Sequence, residues 1–139
     1  IDFDLPSAPL KELPWEVEVK SRSTVMPYLR IQTNASVRKD QQDSLLSQAS
    51  QLVSRHLGKD EKLFMGIIED GQAMYFAGNS NPLAFLELKA LGLPAEATKD
   101  LSRDLCSLVH EELSITPERI YVRFHNVNRG MWGWNGGIF

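Results

Sequence analysis

The chain is predicted to fold in the α/β class, as an α+β two-layer sandwich. Duplicated β-α-β units would form a four-stranded mixed sheet with two helices on one face. Three observations carry this. Pro27 aligns with Pro82, Leu45 with Leu101, Leu52 with Leu108, Leu57 with Leu113 and Leu63 with Ile120, at an offset that drifts only from 55 to 57 residues; such self-similarity marks a repeated structural unit. Each unit contains one long stretch with apolar residues at helical spacing, and short strand-like runs flank both stretches.

In chain order, residues 28–34 form a short strand after Pro27. Residues 39–57 form a helix, because Leu45, Ala49, Leu52, Val53 and His56 or Leu57 fall on one face. Gly58 stops it, as a left-handed C′ glycine does. Residues 63–69 read as a buried strand, Asp70-Gly71 as a turn, and residues 73–76 as a short hairpin partner. In the second unit residues 83–90 alternate, with Ala84, Leu86, Leu88 and Ala90 on one face and Glu87 and Lys89 on the other. Residues 95–113 form the second helix, with Leu101, Leu105, Leu108 and Val109 as its stripe. Thr116-Pro117-Glu118-Arg119 makes a capped turn into a strand over 120–127. Both helices on one face would leave the other sheet face apolar and bare, which predicts self-assembly.

Residues 1–26 read as an extension or linker, and residues 27–139 as the domain. The extension carries Pro6, Pro9 and Pro14 and one alternating piece, Trp15-Glu16-Val17-Glu18-Val19. Three accounts compete: upstream sequence that is not translated, a removable leader, or a genuine arm. Met26-Pro27 looks like a start, which favours the first. A net charge of −3 argues against nucleic acid as a partner. No apolar run reaches the length of a membrane span, and no secretory signal is evident. The single cysteine, Cys106, excludes an intrachain disulfide framework and fits a reducing, cytoplasmic location.

Pro27 is the first candidate for chemistry. An initiator methionine before a small residue is normally removed, which would leave Pro27 with a free secondary amine. Burial and a nearby cation such as Lys59 would both lower that amine's pKa from its reference of about 7.7–8.0, giving a general base near neutral pH. The competing reading is a proline that merely initiates a strand. Lys59 is either a solvated lysine at a helix C-terminus or, with Arg123, a clamp for a carboxylate. The glycine- and tryptophan-rich tail, residues 130–139, is either a core plug or an aromatic pocket wall. His56, His110 and His125 show no metal spacing, Cys106 reads as core, and no cofactor or metal is called for.

Several pieces, in this order and spacing, make residues 26–139 resemble the tautomerase superfamily, in its macrophage migration inhibitory factor branch. They are Pro27-Tyr28-Leu29-Arg30-Ile31-Gln32-Thr33-Asn34, Gly58-Lys59, Met74-Tyr75-Phe76-Ala77-Gly78-Asn79-Ser80-Asn81-Pro82, Arg119-Ile120-Tyr121 and Gly133-Trp134-Asn135-Gly136. The resemblance implies a homotrimer with a pocket at each subunit interface. It makes Pro27 the base that moves a proton between carbon and oxygen of an α-keto acid such as phenylpyruvate. Lys59 and the backbone N–H of Leu91 would bind the carboxylate and the developing enolate. Tyr121 and Arg123 would come from the neighbouring subunit, and Trp134 and Phe139 would line the apolar end. It also implies an alternative, a cytokine-like binding trimer acting on a protein receptor, and it is compatible with leaderless secretion. Two departures stand out: Leu83-Ala84-Phe85-Leu86 replaces the Cys-x-x-Cys of the animal cytokines, and Arg123 replaces a neutral polar residue.

Overall fold

The computed structural model describes residues 26–58 and 61–139. The alternating piece at residues 15–19 and Lys59 lie outside the described residues. Strand β1 (Tyr28–Thr33), helix α1 (Lys39–Leu57), strands β2 (Met65–Glu69) and β3 (Ala84–Leu91), helix α2 (Thr98–Leu113) and strand β4 (Ile120–Val127) follow in order. They build a four-stranded sheet ordered β2-β1-β3-β4. The β1–β2 and β3–β4 pairs are parallel and the central β1–β3 pair is antiparallel. That is the arrangement two β-α-β units produce when laid side by side. A small hairpin, β5 (Gly133–Trp134) and β6 (Gly137–Ile138), closes the chain.

The core lies between the helices and one sheet face. Leu45, Ala49, Leu52 and Val53 of α1 and Leu101, Leu105, Leu108 and Val109 of α2 pack on Leu29, Ile31, Leu86 and Leu88. Complete burial of each such leucine or isoleucine contributes roughly 1.5–3 kcal/mol. Polar contacts tie the helices on the outside: Gln48 Nε2 donates to Glu112 Oε2 at 2.8 Å, and His56 Nε2 meets Asp104 Oδ2 at 2.7 Å. Gly58 ends α1 at φ +68°, as its placement predicts.

The second face of the sheet corrects the sequence reading. It is not a bare apolar surface. Arg30, Glu69, Glu87 and Arg123 occupy it and form a chain of ion pairs. Arg30 contacts Glu69 at 3.1 Å and Glu87 at 3.6 Å, and Arg123 contacts Glu87 at 3.3 Å. Register explains the grouping, since Arg30 lies opposite Glu87 and Glu87 opposite Arg123 across neighbouring strands. Apolar side chains on this face sit toward its margins, with Met65, Ile67 and Tyr121 exposed.

Other boundaries shift for local reasons. The strand predicted over 63–69 begins at Met65, because Glu61–Leu63 forms a 3₁₀ turn held by Ser50 Oγ donating to Glu61 Oε1 at 2.8 Å. It is also an edge strand with Met65 and Ile67 exposed, so it is not buried in the single chain. Residues 73–76 form no strand. Phe76 pairs instead with Asn79 across Ala77 and Gly78, both at positive φ. Asn34 leaves β1 because its side chain accepts from Leu83 N–H at 3.0 Å and donates to Ser80 O at 2.8 Å. Residues 95–97 form a 3₁₀ turn before α2 starts at Thr98.

Candidate active site

Pro27 is buried at the head of β1, and its carbonyl accepts the N–H of Met65 at 3.0 Å. Extended chain fits there because the fixed proline φ suits a strand start and the missing N–H costs no ladder bond at that position. Beside it opens a cavity of about 410 Å³ lined by Met26, Pro27, Tyr28, Lys62, Leu63, Phe64, Met65, Trp132, Gly133 and Trp134. Such an apolar pocket with a few polar groups is what a small organic ligand requires.

The tail builds the pocket's far wall. Asn135 and Gly136 both adopt positive φ, +54° and +80°, and turn the chain between β5 and β6. Asn-Gly is the preferred pair for a two-residue hairpin turn. Phe139 then returns to donate its N–H to Trp132 O at 3.1 Å. The rings of Trp134 and Phe139 lie parallel, 6° apart in plane and 6.3 Å between centroids. Phe139, Leu91 and Met26 form a second buried cluster, separate from the interhelical core, against which Leu63, Trp132 and Trp134 pack.

Of the site residues read from the sequence, Pro27 and Trp134 line the cavity, while Leu91 and Phe139 form the cluster adjoining it. Lys59 lies outside the described residues. Tyr121 and Arg123 are elsewhere in this chain. Continuing the strand register places Pro27 level with Ala90 and Asn126, whereas Tyr121 pairs with Phe85 near the other end of the sheet. Five residues of strand separate the two levels, about 17 Å at roughly 3.3 Å per residue. Tyr121 contacts the Phe76 ring edge-on at 5.2 Å, and Arg123 holds Glu87. Arg123 stands three residues from Pro27's level, about 10 Å, and two strands away, so neither side chain meets Pro27 within one chain. Leu63, Phe64, Met65 and Lys62 join the site without having been anticipated, and Trp132 lines it as part of the tail that was read as either a plug or a pocket wall. Among the described residues no group of three or more histidine, cysteine, aspartate or glutamate side chains could hold a metal ion. Burial pushes the Cys106 thiol pKa up, away from the reactive thiolate.

Duplicated β-α-β units, a proline-headed strand and an aromatic tail closing over it define an α+β domain of the tautomerase superfamily. The chain belongs to the macrophage migration inhibitory factor (MIF) family, whose model matches residues 26–139. It is 31% identical over 115 residues to macrophage migration inhibitory factor of Meriones unguiculatus, covering 82% of this chain and 99% of the relative. It is likewise 31% identical over 115 residues to the homolog of Brugia malayi, with the same coverage. Among solved structures, the homologue from Prochlorococcus marinus superposes with a TM-score of 0.77 at 34% identity, over 81% of this chain and 98% of that one.

Proposed function

We propose that this protein is a keto–enol tautomerase of α-keto acids such as phenylpyruvate, with Pro27, once it is the N-terminal residue, as general base. The observation that carries the proposal is the placement of Pro27 in the wall of an apolar, tryptophan-lined cavity at a strand head. A secondary amine there loses hydration, which disfavours its protonated form and lowers its pKa below about 7.7–8.0. The neutral amine takes a proton from the carbon next to the substrate carbonyl. Charge develops on the carbonyl oxygen, where the Leu91 N–H and Lys59 stabilise it. The same nitrogen then returns the proton to that oxygen, giving the enol; the reverse sequence gives the keto acid. The flat walls of Trp132, Trp134 and Phe139 receive the aryl group.

The rest of the site comes from a second copy. Tyr121 and Arg123 lie too far from their own Pro27 to act there, so we assign them to the neighbouring subunit's pocket in a homotrimer. In that position the forked Arg123 guanidinium binds the substrate carboxylate. A second reading rests on Met26: while it stays attached, Pro27 nitrogen is an amide, and the assembly acts as a cytokine-like binding protein through its surface.

The test is ketonisation of phenylpyruvate enol by a chain beginning at Pro27, compared with the full 139-residue chain. The proposal expects turnover from the first and little from the second. Equal rates would refute Pro27 as the base.

A further inference from the structure

Met26 is 3% exposed although it stands at the edge of the domain, outside the interhelical core. Its partners are Leu91 and Phe139, with Leu63, Trp132 and Trp134 packed around them. All five also figure in the site proposed above or line its cavity directly. We propose that the Met26 side chain is an internal occupant of the substrate pocket's apolar end, so that the unprocessed chain offers ligand only the part of the cavity Met26 leaves, besides being chemically silent. This rests on reading the cavity beside Pro27 as the substrate pocket.

The chemistry suits the role. Methionine is unbranched and polarizable, so it fills an irregular aromatic cleft and can leave it without disturbing a branched fit. Tethered to the very residue it covers, it competes intramolecularly, at an effective concentration of millimolar order or above. A free aromatic carboxylate must overcome that competition. Removal of Met26 would then perform two acts at once: it would expose the secondary amine and empty the apolar end next to it. The main core would not be touched, since Met26 belongs to the separate cluster.

Occupancy and acylation are separable in the full chain. Met26→Ala keeps Pro27 as an amide but withdraws the side chain, whereas Met26→Leu keeps an apolar side chain of similar volume. Binding of trans-cinnamate, a stable aromatic carboxylate, is measured by ligand-observed NMR for both variants and for the wild-type full chain. The proposal expects cinnamate affinity at least tenfold higher for Met26→Ala than for wild type, with Met26→Leu close to wild type. No turnover of phenylpyruvate is expected from any of the three. Equal affinities for wild type and Met26→Ala, tight or weak, would overturn the occupant role. Because this readout is binding, it fails independently of the tautomerase reading: tighter cinnamate binding by Met26→Ala, with no turnover by a chain beginning at Pro27, would sink the catalysis and leave the occupant standing.

Discussion

Gly66 provides a test that joins packing to the pocket. It lies in β2 opposite Leu29, where α1 crosses the sheet. A Cβ at this position would sit 2.9 Å from Leu46 Cδ2, 2.9 Å from Phe64 Cε2 and 3.2 Å from Phe64 Cζ. Relaxed carbon contacts lie at about 3.5–4.0 Å, so Gly66→Ala requires both side chains to retreat by roughly 0.6–1 Å. Leu46 can rotate, but Phe64 also lines the cavity beside Pro27, so its displacement reaches the candidate site. Overpacking of this kind costs about 1–3 kcal/mol. Replacing glycine by alanine returns about 0.4–1 kcal/mol by restricting the unfolded chain. The expected net effect is a loss of about 1–2 kcal/mol, read as a lower urea midpoint with an unchanged slope. Leu46→Ala in the same chain should recover part of the loss if steric overlap is its cause. A Gly66→Ala protein as stable as wild type, or more stable, would refute the argument, because chain entropy alone would then decide the sign.

Three further outcomes are expected. Arg119 donates to the carbonyls of Pro82, Asn79 and Asn81 at 3.0, 3.3 and 3.0 Å and lies over the Phe76 ring at 5.2 Å. Arg119→Ala should therefore open the 70–83 loop to limited proteolysis, and Arg119→Lys should not restore protection because an ammonium lacks the planar fork. The Arg103 guanidinium, and after it His56, hold the Asp104 carboxyl below its usual range. A carboxyl with a lowered folded pKa stabilises the fold above its unfolded pKa, about 3.9, and that contribution is lost as pH falls through the folded value. Asp104→Asn should thus lower Tm at pH 7, with the gap to wild type closing below about pH 4. Finally, Arg123→Asn in an active chain should raise KM for carboxylate substrates by the equivalent of about 1–3 kcal/mol; an unchanged KM would remove Arg123 from the site.

Much of the architecture was legible because burial and period coincide in the repeat. The helix at Lys39–Leu57 matches its predicted bounds, since the Leu45–Val53 stripe and Gly58 both act locally. The strand pairs follow from the two β-α-β units. Position along the edges was less legible. Met65 and Ile67 look buried by type, yet β2 is an edge strand and exposes them in the single chain. The hairpin expected at residues 73–76 gives way to the tight Phe76–Asn79 pair, and Asn34 and Arg119, far in sequence, hold the Ser80 and Asn79 carbonyls at that turn. The ion pairs of the open face were also out of reach. Glu87 stood out as polar, but nothing local reveals that register sets it between Arg30 and Arg123. Around the cavity, Pro27 and Trp134, named from residue type and family resemblance, both form part of the lining. Phe64 was missed because its approach depends on how the chain folds back into β2. Tyr121 and Arg123 show the converse: the resemblance names them, and the single chain holds them about 17 Å and about 10 Å along the strands from Pro27's level.

The most direct measurement is an ¹⁵N NMR titration of the proline nitrogen in a chain that begins at Pro27. A base working in the aromatic cavity predicts a midpoint below about 7.7–8.0, coincident with the rising limb of kcat/KM for phenylpyruvate. A midpoint at or above that range, or a rate profile indifferent to the titration, would contradict the assignment.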